Sequence, residues 1–145
     1  DVAQKNYADC GLEVPEQAMA KGWAALPCHL PCPPVSDTCA RLEALLHSWL
    51  NPAQAGAKTV VCLPAQSSGT WLAAATLPAG DALLAGAECN VAVETRLALL
   101  PKAQRIRKVV REYRTHAGKI TANWAGVKAV CTQAAAFEQA VQAAL

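Results

Sequence analysis

The sequence predicts a mainly α-helical protein: a disulfide-stapled bundle of four or five helices. Alanine, which has the highest helix propensity, accounts for 32 of the 145 residues. All nine prolines lie at or before Pro101, so residues 102–145 lack the residue that interrupts helices most strongly. Seven cysteines are scattered along the chain. The length suits a single helical domain, residues 1–145, with one hydrophobic core.

The first third of the chain is predicted to contain an arm, two helices and a rigid loop. Polar residues 1–13 indicate an extended arm, and a proline at the start of residues 15–26 suits the first turn of a short helix. Four prolines within residues 27–35 exclude regular structure and predict a rigid proline- and cysteine-rich loop. Ser36 or Asp37 would cap the second helix. Its apolar face contains Leu42, Leu45, Leu46, Trp49 and Leu50.

The middle of the chain gives the weakest periodicity. Residues 59–63 are rich in β-branched side chains, which is typical of a strand, whereas residues 71–77 suit either a second strand or a helical turn. A small β-hairpin near residues 58–77 therefore stays open. Asp81 is a good N-cap for a helix that we predict over residues 82–100.

Residues 102–145 are predicted to form a long helical C-terminal region. From Lys102 to His116, apolar and basic side chains alternate as on the two faces of an amphipathic helix. Ala117 and Gly118 mark a cap or a bend. Beyond them, apolar residues recur at helical spacing: Ile120, Trp124, Val127, Cys131, Ala134, Val141 and Leu145. We expect this stripe to pack against the rest of the chain.

Cysteine usage indicates the compartment. The seven cysteines contain no CxxC pair, and their scatter favours long-range disulfides: Cys10, Cys28, Cys32, Cys39, Cys62, Cys89 and Cys131. Three disulfides would leave one thiol. A secreted, cell-surface or periplasmic location follows, since disulfides persist in oxidising compartments. A zinc site from Cys28, His29, Cys32, Cys39 and His47 lacks a second closely spaced ligand pair, so we predict no metal and no cofactor.

Catalytic and membrane-spanning signatures are missing from the sequence. Serine-hydrolase and phosphate-loop patterns are absent, and none of the three histidines lies in a recognisable nucleophile motif. We therefore predict no catalytic residues and no enzymatic activity. No stretch of 18 or more residues is apolar throughout, so we predict no transmembrane segment in this chain.

The candidate binding feature is a basic face. Residues 102–119 hold seven bases and one acid, Glu112, which favours an acidic protein or another anionic surface as the partner. The six candidate binding residues are Lys102, Arg105, Arg107, Lys108, Arg111 and Arg114. A nucleic acid is not expected, because only Tyr113 offers a stacking ring. The alternative is a solvated face, or one paired with the acidic first third of the chain.

These observations predict a non-enzymatic secreted or cell-surface protein that binds another macromolecule, such as a surface antigen, a receptor-like module or an extracellular effector. Two alternatives stay open: a secreted carrier of a lipid or other hydrophobic small ligand, and a periplasmic inhibitor or immunity-type protein. The cysteine spacings do not match those of odorant carriers, saposins, plant lipid-transfer proteins or secreted phospholipases, so we draw no family resemblance.

Overall fold

A computed structural model of the chain describes residues 5–28, 32–50, 56 and 58–145. Within these ranges the protein has seven α-helices and no strand, which confirms the prediction of a mainly helical fold but exceeds the predicted four or five helices. The helices are α1 (Val14–Ala20), α2 (Val35–Leu50), α3 (Ser68–Thr76), α4 (Val93–Leu99), α5 (Val110–Ala122), α6 (Trp124–Val130) and α7 (Thr132–Ala144).

The chain forms two compact units. The N-terminal unit comprises Asp1–Leu63 with Ala144–Leu145, and the C-terminal unit comprises Pro64–Ala143. Whether the chain behaves as the one domain that its length suggests stays a prediction.

The N-terminal unit contains α1, α2 and a short 3₁₀ turn. This turn, Tyr7–Cys10, lies within the predicted arm, whose first four residues are outside the described residues. The first turn of α1 contains a proline, where a missing N–H costs no helical hydrogen bond. The helix ends at Ala20, earlier than predicted, because Gly22 adopts a positive φ of 65° and turns the chain.

Helix α2 confirms the second predicted helix, although it begins at Val35 rather than at a cap formed by Ser36 or Asp37. Its buried residues are Thr38, Cys39 and Leu45. Of the predicted rigid loop, residues 29–31 lie outside the described residues, and the described remainder contains no helix before Val35.

The hairpin considered near residues 58–77 is not formed. The described residues 58–67 contain no strand, and residues 68–76 form α3. Ser67 caps this helix by accepting a hydrogen bond on its hydroxyl from the Gly69 N–H at 2.9 Å. Six of the nine residues of α3 are buried. A helix that is apolar on nearly every side has no amphipathic period, so its sequence cannot be told from that of a buried strand.

Helix α3 is the centre of the C-terminal unit and contacts α4, α5 and α6. Two hydrophobic clusters form on it. The first contains Ala73, Leu77, Leu83, Ala87, Val93 and Leu97, and the second contains Trp71, Ala74, Val127, Cys131 and Ala134. In the second cluster, the ring centroid of Trp71 lies 5.5 Å from that of Trp124 and 6.0 Å from that of Phe137.

The helix predicted over residues 82–100 is mostly not α-helical. Ala82–Leu84 and Ala87–Cys89 form 3₁₀ turns, and only α4 is an α-helix. Gly86, with a φ of 61°, precedes the second turn and breaks the run. Asp81 does act as a cap, since its carboxylate accepts a hydrogen bond from the Leu83 N–H at 2.8 Å.

The C-terminal helical region begins later than predicted and is divided into three helices. Residues 101–109 are not helical, and just before α5 the Arg107 N–H donates a hydrogen bond to the Glu112 carboxylate at 2.5 Å. The helical region is interrupted at Asn123, between α5 and α6, and at Cys131, between α6 and α7. The apolar stripe is therefore shared by α5, α6 and α7, with Val127, Cys131 and Ala134 buried and Leu145 exposed.

Of the cysteines, all seven of which are described, two are disulfide-bonded, fewer than the six that the three predicted disulfides would use. These two are Cys32 and Cys89, and the other five are Cys10, Cys28, Cys39, Cys62 and Cys131. Cys131 lies in the second cluster. Burial and, secondly, the charge of Glu88 raise the pKa of its thiol to about 12, so it stays protonated and unreactive at neutral pH.

A buried carboxylate fixes the start of α7. Glu88 is only 5% exposed, and it accepts hydrogen bonds from the Thr132 N–H and hydroxyl at 2.8 Å and from the Gln133 N–H at 2.9 Å. The first turn of a helix has unpaired N–H groups and a positive partial charge. Glu88 accepts hydrogen bonds from two of these N–H groups, and its carboxylate faces the positive end of the helix. A residue far away in the sequence therefore determines where α7 begins.

We predict that Glu88→Ala lowers the free energy of unfolding by about 2–4 kcal/mol, because it removes three hydrogen bonds to a charged acceptor. Urea denaturation followed by circular dichroism measures the change. Gln142→Ala, at an exposed position of the same helix, is the control and should stay within about 0.5 kcal/mol of the parent protein. Identical denaturation midpoints for Glu88→Ala and the control would contradict the role of Glu88.

Candidate functional site

A shallow groove lies between the N-terminal end of α3 and α5. One part has a volume of about 350 Å³ and is lined by Ser68, Lys108, Val109, Val110, Tyr113 and Arg114. The adjoining part has a volume of about 250 Å³ and is lined by Ser68, Leu72, Tyr113, Arg114, Ala117 and Ile120. Because Ser68, Tyr113 and Arg114 belong to both parts, they form one feature, here named the α3–α5 groove.

The α3–α5 groove combines aliphatic and cationic groups. Val109 and Val110 are 48% and 68% exposed, which is a high exposure for two adjacent branched apolar side chains. Lys108 and Arg114 supply positive charge, and none of the lining residues is acidic. The groove therefore suits a ligand that has both apolar and negatively charged groups.

Glu94 of α4 positions two of the lining side chains. The Tyr113 hydroxyl donates a hydrogen bond to Glu94 Oε1 at 3.1 Å, and the Lys108 ammonium forms an ion pair with Glu94 Oε2. The side chain of Ser67 also hydrogen-bonds to this carboxylate. Since the Glu94 side chain is only 15% exposed, it joins the cap of α3, helix α4 and helix α5 from beneath the surface.

Protonation in this cluster is well defined at neutral pH. Burial raises the pKa of Glu94, but hydrogen bonds from Lys108, Ser67 and Tyr113, with the charge of Lys108, outweigh it, and the pKa is lowered overall. Burial, followed by the charge and the hydrogen bond of Glu94, raises the pKa of Tyr113 to about 12. The carboxylate is therefore ionised and the phenol protonated, which suits a positioning role rather than proton transfer near pH 7.

The six candidate residues of the basic face do not share one helical face. Arg111 and Arg114 are on α5, whereas Lys102, Arg105, Arg107 and Lys108 precede it in non-helical chain. Arg107 pairs with Glu112 at 2.6 Å, and Lys108 pairs with Glu94. The remaining four are exposed and form no ion pair with any other described residue: Lys102, Arg105, Arg111 and Arg114. Only Lys108 and Arg114 reach the groove.

Three features were not predicted from the sequence: Ser68 in the groove, Glu94 beneath it, and the exposure of the two valines. Val109 and Val110 share a predicted apolar face with Ile106, yet only Ile106 is buried, at 2% exposure. The adjacent valine pair beside a basic run was the available signal. Glu94 gave no signal, because its partners come from distant positions in the chain.

The described ranges contain no cluster of three or more histidine, cysteine or acidic side chains placed to hold a metal ion. His29 of the considered zinc site lies outside the described residues. None of the helices in the described ranges has the length and the apolar character that crossing a bilayer requires.

Gly69 is required by the close approach of α3 and α4. A Cβ atom built at this position would lie 2.5 Å from Cγ of Glu94 and 3.1 Å from the hydroxyl of Tyr113. Any side chain at Gly69 would therefore displace the carboxylate that positions Lys108 and Tyr113. In contrast, a Cβ atom at Gly118 of α5 would meet nothing within 4 Å.

We predict opposite effects for alanine at these two glycines. Gly69→Ala should lower the free energy of unfolding by about 1–3 kcal/mol, because the added methyl group overpacks the contact with Glu94. Gly118→Ala, the matched control, should raise it by about 0.5–1 kcal/mol, because alanine is the better helix former in open space. Urea denaturation measures both. Equal stability of the two variants would contradict the close approach.

No protein-family model matches the sequence, and neither curated protein sequences nor solved structures show a significant similarity to it. The function of the chain is therefore inferred from its own residues.

Proposed function

We propose that this protein is a non-enzymatic binding protein of an extracytoplasmic compartment, and that the α3–α5 groove binds an acidic, partly apolar segment of another protein. The supporting observation is the exposure of Val109 and Val110 directly beside Lys108 and Arg114. Apolar surface rimmed by charged groups is typical of protein-docking sites. The cations determine that the partner segment carries aspartate or glutamate.

A protein segment fits the groove better than a nucleic acid or a membrane. Tyr113 is the single aromatic side chain in the groove, and its hydroxyl is held by Glu94, so there is no stacking platform for successive bases. A membrane-binding helix would need a continuous row of large apolar side chains opposite its charges. On α5, Val110 is the only large aliphatic residue that is mostly exposed.

Unpaired cations near the groove would attract an acidic partner. Arg111 and Arg114 lie three residues apart on α5 and form no ion pair with other described residues. Lys108 is partly neutralised by Glu94, so Arg114 should contribute more to binding than Lys108. Exposed charges of this kind increase association rates and weaken binding as salt is added.

The extracytoplasmic location is supported by the disulfide-bonded state of Cys32 and Cys89, because disulfides persist in oxidising compartments. Two of the five other cysteines, Cys39 and Cys131, are buried. Burial shields these two cysteines from reaction with oxidants in such a compartment.

Fluorescence polarisation with three labelled ten-residue peptides tests the proposed partner chemistry. The first peptide alternates glutamate with leucine, the second replaces glutamate with glutamine, and the third replaces leucine with serine. We expect the first peptide to bind tightest and to lose affinity as salt is raised. Arg114→Gln should weaken its binding about three- to tenfold. Arg96→Gln, an exposed position of α4 outside the groove, is the matched control and should leave binding unchanged.

Equal binding of the three peptides would contradict the proposal, and so would equal losses in the two arginine variants. Tighter binding to an oligonucleotide or to anionic lipid vesicles than to the first peptide would exclude a protein segment as the preferred partner. Val110→Ser separates the apolar contribution, because it should weaken binding of the glutamate–leucine peptide while leaving the glutamate–serine peptide unaffected.

A further inference from the structure

The N-terminal unit contains a second cavity, of about 250 Å³. It is lined by Lys5, Tyr7, Cys10, Val14, Trp23, Leu26 and Trp49, and is here named the aromatic pocket. We infer that the aromatic pocket binds a small planar aromatic carboxylate. The inference is independent of the α3–α5 groove, because the two sites have no residue in common.

A chain of hydrogen bonds holds the walls of the aromatic pocket in place. The Tyr7 hydroxyl donates to the Ala24 carbonyl at 2.6 Å and accepts from the Trp49 indole N–H at 2.9 Å. The Ala24 N–H donates to the Ser48 hydroxyl at 2.9 Å, and this hydroxyl donates to the Leu45 carbonyl at 2.7 Å. The 3₁₀ turn, the segment after α1 and helix α2 are thereby joined, so the pocket is largely formed before a ligand binds.

The same bonds determine what the pocket presents to a ligand. Since the polar atoms of Tyr7 and Trp49 are paired with each other, their rings contribute carbon surface to the cavity. The Trp23 ring lies 5.7 Å from that of Tyr7 at an interplanar angle of 43°. Three rings from three segments favour a planar aromatic ligand through stacking and edge contacts. An apolar cavity of about 150 Å³ can hold benzene, so this larger one can hold a two-ring compound.

Positive charge at the aromatic pocket favours an anionic ligand. Lys5 is the only charged residue among the lining side chains, and it forms no ion pair with another described residue. The Lys21 ammonium lies 5.4 Å from the centroid of the Trp23 ring, which adds a second cation nearby. Aromatic cages often bind quaternary ammonium ions, but these two lysines would repel them. A carboxylate on an aromatic body satisfies both the rings and Lys5.

Titration calorimetry with 1-naphthoate and its neutral analogue 1-naphthamide tests the inference. We expect 1-naphthoate to bind one equivalent and to bind at least about fivefold more tightly than 1-naphthamide. It should also slow alkylation of Cys10, which lines the pocket, but not that of Cys62, an exposed cysteine outside it. Peptide mapping by mass spectrometry reads both cysteines in one sample. Failure to protect Cys10, or equal affinity for the two compounds, would overturn the inference.

Three variants then locate the contacts. Lys5→Gln should lower the affinity for 1-naphthoate to that for 1-naphthamide, whereas Lys58→Gln, at an exposed lysine outside the pocket, should change neither. Val14→Phe should fill the cavity and abolish binding of both compounds. Unchanged binding in Val14→Phe would place the ligand elsewhere. Because Lys5 is exposed, its variant keeps the charge test interpretable even where the filling variant does not fold.

Discussion

The burial of α3 on nearly all sides is the constraint on which the C-terminal unit depends. This nine-residue helix supplies Ala73 to one hydrophobic cluster and Trp71 and Ala74 to the other. Interiors are close-packed, so a helix held from several sides cannot rotate or slide without disturbing both clusters. Its N-terminal end carries Ser68 into the α3–α5 groove, and the geometry of the groove therefore follows from the packing of the core.

Polar contacts between distant segments complete what packing begins. Glu88 fixes the start of α7, and Glu94 connects the start of α3 with α4 and α5. In both cases a largely buried carboxylate satisfies donors from other elements, which keeps the cost of its burial low. The contacts of Glu94 shape the α3–α5 groove, since they position Lys108 and Tyr113. Arg114, which also lines the groove, stays available to a partner.

Sequence patterns predicted those parts of the fold that depend on local chemistry. Helix α2, the cap at Asp81 and the burial of Val127 were predictable because capping and apolar spacing act within a few residues. Helix α3 was not predictable, because burial on nearly all sides removes the alternation of apolar and polar side chains that marks an amphipathic helix. The contact of Arg107 with Glu112 just before α5 and the connectivity of disulfides both depend on how the folded chain brings side chains together. The basic residues were likewise visible, but the contact with Glu94 that partly neutralises Lys108 arises only on folding.

Amide hydrogen–deuterium exchange, resolved by residue, tests the role of α3 most directly. The backbone amides of residues 71–76 should exchange most slowly within residues 64–143, because they open only when both hydrophobic clusters separate. The amides of Lys102, Ala103 and Lys108, in exposed non-helical chain, should exchange fastest. Exchange of the amides of residues 71–76 as fast as that of these three amides, while α7 stays protected, would show that α3 is not the element on which the unit is built.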